Sequence, residues 1–484
     1  MRAVMVMYDS LNARMLSPYA ANAAITPNFN RLAARSVRFD TCYAGSLPCM
    51  PARRELHTGR YNFLHRSWGP IEPFDDSMPE ILKMSGIHTH LASDHTHYWE
   101  DGGATYHTRY TTWEMFRGQE GDPWKGVVGE IEDPGSLIQF EGYRKKLYRQ
   151  DTINRAHMPT EDLHPQTQVF DAGLSFMQTN MREQNWFLQI ETFDPHEPFF
   201  SYEKYKLLYP DDYEGPRFDW PDYAPVAQTD EEIAHARREY MALVTMCDNN
   251  LGRVLDVFDA NDMWKDTMLI VCTDHGFMLG EHGYWAKNYM PPYDEVVRTP
   301  LFIWDPRSKA TGRRGALVQT IDLPVTILSL FDASIPDDMQ GYDLAQTIID
   351  DKPVREAALF GWHAQHVCVT DGRYVYMRAG RADVDVYEYT LMPTHMAWRF
   401  QPQELHNATL APPFSFTKGC PVLKIPKPGA GTDYPSMLFD TKIDPSELKP
   451  LHDPAQEKRM AALMKTLMHK NDAPLEQFER LNLI

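Results

Sequence analysis

The sequence predicts an α/β protein built on a doubly wound, mostly parallel sheet with helices on both faces. Two observations support this prediction. Apolar runs alternate with helix-like segments, which is the pattern of strand–helix–strand units. Several of these runs contain almost no polar residues, so their strands are expected to be buried on both faces. From about residue 355 short strands with turns follow one another, which predicts a smaller C-terminal α+β domain (355–484) after a large α/β domain (1–354).

The expected strands of the large sheet end in chemically informative residues. These strands are AVMVMY (3–8), GIHTHLAS (86–93), WFLQIET (186–192), TMLIVCT (267–273) and PLFIWD (300–305). NFNRLAARS, the long DEEIAHARREYMALVTMCDNNLGRVLDVFD and the C-terminal PAQEKRMAALMKTLMHK predict helices. Ligands of such sheets bind beyond the carboxyl ends of the strands. We therefore expect one rim to collect the acids and imidazoles that follow three of the strands, namely Asp9, Asp194, His196, Asp274 and His275.

Composition excludes two classes of partner. A chain of 484 residues exceeds the size at which one hydrophobic core stops growing, which favours two domains. The net charge of −19 and the lack of a long basic run argue against nucleic acid or an anionic membrane as the main partner.

The N-terminal apolar run is too short for a signal peptide, and no stretch approaches the roughly 20 apolar residues of a membrane span. We therefore expect a cytoplasmic protein.

The cysteines are scattered without a C-x-x-C pair, so neither a disulfide framework nor a cysteine zinc site is predicted. Five are expected to be buried as small apolar side chains: Cys42, Cys247, Cys272, Cys368 and Cys420. Cys49 is different. Pro51 suits the first turn of a helix, which would place the thiol at a helix N-terminus, where free N–H groups favour an anion. Arg53 would lie one turn further on the same face.

The stretch TPNFNRLAARSVRFDTCYAGSLPCMPARRELHTGR contains a specific motif, C-x-P-x-R followed by T-G-R. It resembles the sulfatase family of the alkaline phosphatase superfamily, which includes arylsulfatases and phosphonate monoester hydrolases. REYMALVTMCDNNLGRVL, TDHGFMLGEHGYWAK, DPHEPF and LFDTKIDPSELKPL also resemble family segments, so the resemblance runs almost end to end. It implies an alkaline-phosphatase-like fold and hydrolysis of a sulfate ester, of aryl or carbohydrate type, to alcohol and inorganic sulfate.

The resemblance also implies a modified nucleophile at Cys49. In the family a formylglycine-generating enzyme oxidises the motif cysteine, and the hydrate of the resulting aldehyde attacks sulfur and expels the alcohol. The second hydroxyl of the hydrate then loses its proton, the aldehyde re-forms and sulfate leaves. Pro51 and Arg53 would serve recognition by the modifying enzyme, and Arg53 would also support the modified side chain.

A divalent metal ion is implied by the same resemblance, because the family uses one to polarise the hydrate and the sulfuryl oxygens. Its ligands fall on Asp9, Cys49, Asp274 and His275. Many sulfatases have a second aspartate at the position of Ser10. Calcium is the usual ion of the family and our first expectation, whereas fewer carboxylates and an imidazole suit Mn²⁺ or Zn²⁺ as the alternative.

Further family positions imply contacts with the substrate. Lys287, thirteen residues after Asp274, matches a lysine that binds sulfate and assists the leaving group. His196 matches a histidine near the ester oxygen and is the candidate general acid. His95 and His97 replace the K-x-H of the family in SDHTHYWEDGG, so the charge of the pocket is expected to depend on pH near neutrality.

Alternatives stay open at this stage. Phosphonate monoester and phosphodiester hydrolases of the superfamily use the same formylglycine, and phosphonate and sulfate monoesters both carry one negative charge. A non-catalytic relative would be expected to have lost the cysteine or the ligand pair, and this chain has kept both. A phosphatase-like enzyme could use Cys49 as a thiolate, because a helix start lowers a thiol pKa. Residues 104–165 are expected to set specificity, and a homo-oligomer is compatible with the sequence.

Overall fold

The computed structural model describes residues 1–21, 23–429 and 431–484. Its strands are β1 (Arg2–Tyr8), β2 (Val37–Phe39), β3 (Cys42–Tyr43), β4 (His88–Ser93), β5 (Thr112–Met115), β6 (Trp186–Thr192), β7 (Thr267–Thr273), β8 (Met278–Leu279), β9 (Trp285–Ala286), β10 (Leu301–Trp304), β11 (Gly312–Arg314), β12 (Val318–Gln319), β13 (Ala358–Gly361), β14 (Val367–Thr370), β15 (Tyr374–Arg378), β16 (Val386–Thr390), β17 (Thr409–Ala411), β18 (Val422–Lys427) and β19 (Met437–Asp440). Its α-helices are α1 (Pro27–Arg35), α2 (Cys49–Thr58), α3 (Met78–Met84), α4 (Gly142–Arg155), α5 (Pro165–Thr179), α6 (Glu203–Lys206), α7 (Asp230–Ala260), α8 (Asp294–Val297), α9 (Asp322–Leu330), α10 (Ala345–Asp350), α11 (Pro402–Leu405), α12 (Pro454–Lys470) and α13 (Leu475–Arg480).

The large sheet contains all five strands that the apolar runs predicted. Its order is β11-β2-β10-β7-β1-β6-β4-β5. Strands β7, β1, β6, β4 and β5 are parallel, whereas β10 runs antiparallel to both of its neighbours. β1, β6 and β7 are buried along their whole length, as their nearly unbroken apolar sequences predicted.

Helices cover both faces of this sheet, which confirms the doubly wound prediction. Side chains alternate along a strand, so β1 contributes to two separate cores. Val4 and Val6 belong to a cluster that includes residues of α1, α5 and α7. Met5 and Met7 belong to a second cluster that includes residues of α3 and α9.

The C-terminal part forms smaller sheets, as expected for the region after residue 355. β13-β14-β15-β19 form one antiparallel sheet, and β16-β18-β17 form another. Met460, Met464 and Met468 of α12 share a hydrophobic core with Val367, Val369 and other residues of the first of these sheets. A domain boundary at residue 354 stays a prediction.

Two further expectations have different outcomes. The predicted burial is wrong for Cys420, which is exposed, and right for the other four cysteines of that group. Cys420 follows the turn at Lys418 and Gly419, both with positive φ, and this turn carries it to the surface. Among the helices that the structure describes, none combines the length and apolar character of a membrane span.

Candidate active site

Parallel pairing brings the ends of β1 and β7 together. Tyr8 lies opposite Thr273, so the next residues, Asp9 and Asp274, are neighbours at the carboxyl edge of the sheet. The backbone N–H of Ser10 donates to Asp274 Oδ1 at 3.1 Å. His275 follows Asp274 at this edge, and the side chains of Asp9, Asp274 and His275 are all buried.

Helix α2 presents Cys49 to the same edge. The helix begins at Cys49 with Pro51 in its first turn and ends at Thr58. The next residue, Gly59, has a left-handed backbone (φ 58°) and donates its N–H to Glu55 O. The predicted helix start is therefore confirmed. Cys49 Sγ lies 3.3 Å from His275 Nε2 and 3.8 Å from Asp9 Oδ1.

These residues form a compact set of potential metal ligands. One ligand atom from each of Asp9, Cys49, Asp274 and His275 lies within 4.8 Å of the others. The Nδ1 of His275 faces Gly276 O at 2.9 Å, which leaves Nε2 turned toward the cluster. Burial lowers the pKa of His275 to about 3, so the ring is neutral and can act as a ligand.

The two carboxylates carry opposite pKa shifts. Burial and the neighbouring charge of Asp9 raise the pKa of Asp274 to about 7. Burial also opposes ionisation of Asp9, but Lys287 and Arg53 outweigh it and hold the pKa of Asp9 well below its usual range. Two close buried carboxylates, a neutral imidazole and a fourth side chain form a donor set that fits a divalent cation.

Arg53 connects three buried carboxylates beneath this cluster. Its Nε pairs with Glu191 Oε1 at 2.7 Å, its Nη1 with Asp274 Oδ2 at 2.7 Å, and its Nη2 with Asp9 Oδ2 at 3.1 Å. Nη1 also donates to Cys49 O at 3.1 Å, so the predicted shared face of Arg53 and Cys49 is confirmed. Glu191 was missed in the sequence, although it is the one charged residue in the buried run WFLQIET.

Lys287 is buried in the site with its ammonium group directed at the end of β1. Nζ donates to Ser10 Oγ at 2.6 Å and lies 3.5 Å from Asp9 Oδ1. Burial opposes its charge, but Cys49 and Asp9 raise the pKa of Lys287 above its ordinary value, so it is a cation. Ser10 Oγ donates to Asp9 Oδ1 at 2.7 Å. The serine therefore links lysine and aspartate where many sulfatases have a second aspartate.

The histidines occupy different positions around the cluster. His95 Nε2 lies 3.2 Å from Asp9 Oδ2 in a fully buried position. Burial and Arg53 lower the pKa of His95 well below its ordinary value, so the expected titration near neutrality is wrong for this residue. His97 bonds to Glu100 Oε2 through Nδ1 at 2.6 Å and lies on the wall of the pocket rather than at the ligand cluster.

His196 lies in the pocket beside Cys49 and Lys287. Its Nδ1 faces Glu197 O at 2.6 Å, and burial together with Lys287 lowers the pKa of His196 well below its ordinary value. The general-acid role of His196 stays a prediction. Because the neutral ring carries its proton on Nδ1, Nε2 would have to be protonated before it could donate a proton to the leaving group. Asp194 does not belong to the ligand cluster. Its Oδ2 accepts a hydrogen bond from Gln166 Nε2 at 2.5 Å.

The thiol of Cys49 does not have the electrostatic setting of a thiolate nucleophile. Cys49 is 1% exposed, and burial together with Asp9 raises its pKa well above its ordinary value. Lys287 and Arg53 oppose this shift without reversing it. The expected lowering of the pKa by the helix start is therefore wrong, and direct thiolate chemistry is disfavoured.

Glu55, a second residue that was missed, fixes the loop before Cys49. Its Oε1 accepts from the backbone N–H of Ser46 at 2.6 Å and from the Ser46 hydroxyl. A Cβ added to Gly45 would collide with the Glu55 carboxyl group, so a larger residue there would have to displace that side chain. Burial raises the pKa of Glu55 to about 8, because the Ser46 hydrogen bonds only partly offset the desolvation.

This shift predicts a pH-dependent stability. Since the folded pKa lies above the unfolded one, the contribution of Glu55 is complete below about pH 4.5 and is lost as pH rises through 8. Each pH unit in that window costs at most about 1.4 kcal/mol. We expect Glu55→Gln to reduce the fall in Tm between pH 5 and pH 8.5, and the exposed Glu132→Gln to leave it unchanged. An unaltered pH profile in Glu55→Gln would contradict the assignment.

Comparison with known proteins identifies the family once this geometry is in place. A family model described as Sulfatase matches residues 2–333, and one described as N-sulphoglucosamine sulphohydrolase, C-terminal, matches residues 280–408. The first match covers well over half of the chain, so the chain belongs to the sulfatase family. It is a sulfuric ester hydrolase of the alkaline phosphatase superfamily, as the motif predicted.

Individual relatives are distant in sequence but similar in fold. Choline-sulfatase of Rhizobium meliloti (strain 1021) is 24% identical over an alignment of 406 positions that covers 77% of each chain. The phosphonate monoester hydrolase SpPMH from Silicibacter pomeroyi matches with a TM-score of 0.66 and 19% identity, over 97% of this chain and 94% of that one. BT4656, solved in complex with its substrate D-glucosamine-2-N,6-O-disulfate, matches with a TM-score of 0.65 and 17% identity, over 97% and 98% of the two chains.

Proposed function

We propose that the protein hydrolyses a sulfate ester, of aryl or carbohydrate type, to alcohol and inorganic sulfate after Cys49 has been converted to formylglycine. The observation that supports this most directly is the position of Cys49. Cys49 lies at a helix start, with its Sγ 3.3 Å from His275 Nε2 and 3.8 Å from Asp9 Oδ1, and it lines the same pocket as Lys287. The hydrate of the aldehyde would supply the nucleophile at this point.

The surrounding side chains would bind and orient the sulfate. The Lys287 ammonium would attract the anionic ester, while Arg53 holds Asp9 and Asp274 in place from below. His196 and His95 would contact sulfate oxygens or the bridging ester oxygen, and His97 would act from the pocket wall. Cys49, Arg53, His97, His196 and Lys287 are thus the proposed catalytic group, and His95, His196 and Lys287 bind substrate.

The proposed metal ligands are Asp9, Asp274, His275 and the modified Cys49. A bound divalent cation would supply Lewis-acid polarisation. Calcium is proposed first, with Mn²⁺ or Zn²⁺ as the alternative favoured by the imidazole and by Ser10.

Removal of this cation should affect both stability and turnover. We expect dialysis against EDTA to abolish hydrolysis and to lower Tm, because Asp9 and Asp274 would lose a shared counter-ion. Adding back Ca²⁺, Mn²⁺ or Zn²⁺ separately and recording Tm would identify the preferred ion. Ser10→Asp restores the family carboxylate and should shift the preference toward Ca²⁺. Full activity and unchanged Tm after complete chelation would contradict the metal assignment.

The main test is a comparison of two substrates. Protein coexpressed with a formylglycine-generating enzyme is assayed on 4-nitrophenyl sulfate and on a 4-nitrophenyl phosphonate monoester. We expect the larger kcat/KM for the sulfate. No release of sulfate from matured protein would contradict the proposal.

A second candidate is phosphonate monoester or phosphodiester hydrolysis by the same formylglycine. The specific observation in its favour is the donor set, in which Ser10 replaces the second carboxylate of many sulfatases. A larger kcat/KM for the phosphonate monoester would favour this candidate.

Maturation must reach a side chain that the fold conceals. Because Cys49 is 1% exposed, we propose that the formylglycine-generating enzyme is a partner of the unfolded or nascent chain. A cytoplasmic location and a homo-oligomeric state stay predictions.

A further inference from the structure

The pocket over Cys49 has walls that the sulfate chemistry does not use. A cavity of about 170 Å³ opens above the thiol, and Lys287 and His196 line it beside Cys49. These three residues are assigned to the sulfate group. The other walls, which include Glu100 and Glu120, therefore face the alcohol part of the ester.

Four carboxylates lie at or near these walls, and one of them, Asp122, is paired with Arg117. Glu120 makes no ion pair or side-chain hydrogen bond with any residue that the structure describes, and its backbone is left-handed at φ 49°. Glu197 is fully buried behind the lining residues, and its Oε2 lies 3.1 Å from Nδ1 of the neutral His196 ring. Among the residues that the structure describes, the His97 ring alone bonds to the Glu100 carboxylate. Glu100 and Glu120 are half-buried acids with few partners, which favours a cation in the cavity that they line.

Aromatic side chains surround the same space. Trp68, Tyr143 and Tyr223 all line the cavity. Burial raises the pKa of Tyr143, and the charges of Glu120 and Glu100 add to this shift. Ring faces combined with carboxylates are the surroundings that bind ammonium groups through cation–π and Coulombic attraction.

Nearby arginines are engaged with other partners. Arg117 binds Asp122 through Nε at 2.7 Å. Arg144 lies 5.2 Å from the centre of the Trp220 ring and 3.5 Å from Asp222 Oδ1. The cavity thus has a cationic floor beside Cys49 and an acidic, aromatic wall. This separation of charge complements a substrate that is negative at one end and positive at the other.

We propose that the alcohol part of the substrate carries a positively charged nitrogen, bound between Glu120, Glu100 and the rings of Trp68 and Tyr143, while the sulfate lies over Cys49. This inference rests on the sulfatase function proposed above and narrows its substrate class. Two sources share the chemistry: an amino alcohol, including a quaternary ammonium alcohol, and an amino sugar with a free amine. The cation also holds Glu120 ionised, since burial and Glu197 otherwise raise the pKa of Glu120 to about 7.

Matched pairs of esters test the charge without changing the shape. The sulfate ester of 2-(trimethylammonio)ethanol is compared with 3,3-dimethylbutyl sulfate, and glucosamine 6-sulfate with glucose 6-sulfate. We expect kcat/KM to be at least about tenfold higher for the cationic member of one pair, and that pair identifies the source. Equal values within both pairs would overturn the proposal.

Failure of the sulfatase function gives a different result. No sulfate release from any ester, 4-nitrophenyl sulfate included, contradicts the hydrolase proposal alone. Calorimetric measurement of the binding of the same pairs to Cys49→Ala then shows whether the pocket prefers the cationic ester. Tighter binding of a cationic ester supports the proposal, and equal or undetectable binding of both members overturns it.

Variants locate the site. We expect Glu120→Gln to reduce the ratio of kcat/KM between cationic and neutral esters about tenfold, mainly through KM. The exposed Glu132→Gln is the matched control and should keep the wild-type ratio. Trp68→Leu should reduce the ratio as well, which provides a second test where Glu120→Gln lowers Tm. A wild-type ratio in both Glu120→Gln and Trp68→Leu would overturn the proposal.

Discussion

Cys49→Ala is expected to lower kcat/KM on 4-nitrophenyl sulfate by about 10⁴-fold or more, because it removes the precursor of the nucleophile while the rest of the site stays in place. Cys49 is the only one of the cysteines in the described residues that lies in the ligand cluster. The loss should appear in kcat, since Lys287 and His196 still bind the sulfate. Coexpression with the formylglycine-generating enzyme should not restore activity.

The control for this result is Cys420→Ala, which removes an exposed thiol outside the ligand cluster. It should retain wild-type turnover. Mass spectrometry of the peptide that carries residue 49 measures the matured fraction directly, and turnover of the wild type should be proportional to the aldehyde. Activity in Cys49→Ala within tenfold of the wild type, at equal Tm, would remove Cys49 from the mechanism. Wild-type activity in protein whose Cys49 is entirely alkylatable would show that the aldehyde is not needed, and the formylglycine mechanism would be wrong.

Five of the eight strands of the large sheet could be predicted because buried strands have continuous apolar sequences, whereas β2, β5 and β11 are short and partly exposed. Their order could not, since pairing partners are distant in the chain: β10 joins antiparallel between β2 and β7 although its sequence resembles the parallel strands. The start of α2 followed from Pro51, which acts locally. Burial of single side chains in loops was harder to predict, as exposed Cys420 and buried His95 show.

The candidate site was predictable where a motif or a strand end marked it. Asp9, Asp274 and His275 follow buried strands, and the parallel register brings the strand ends together. Glu191 was missed because it lies within a strand, where periodicity alone assigns it no role. Glu120 and other pocket residues come from irregular segments, whose path depends on tertiary packing rather than on local sequence.

Arg53→Met is expected to cause the largest loss of stability of any single change in the site. It would leave Asp9, Glu191 and Asp274 without the guanidinium that all three contact at 2.7 to 3.1 Å, and an uncompensated buried charge costs about 3 to 5 kcal/mol. The urea midpoint of the first unfolding transition measures the effect. Arg53→Lys should fall between wild type and Arg53→Met, because an ammonium cannot reach three carboxylates with the planar geometry of a guanidinium.

The matched control is Arg31→Met, which removes an arginine that pairs with two partly exposed aspartates, Asp256 and Asp259. Exposed pairs contribute about 0 to 1 kcal/mol, so this change should shift the urea midpoint little. Adding Glu191→Gln to Arg53→Met should recover part of the loss, because it removes one of the stranded charges. An equal shift for Arg53→Met and Arg31→Met, with no recovery in the double variant, would mean that the three carboxylates are neutralised by other groups, and the assignment of Arg53 as the support of the ligand cluster would be wrong.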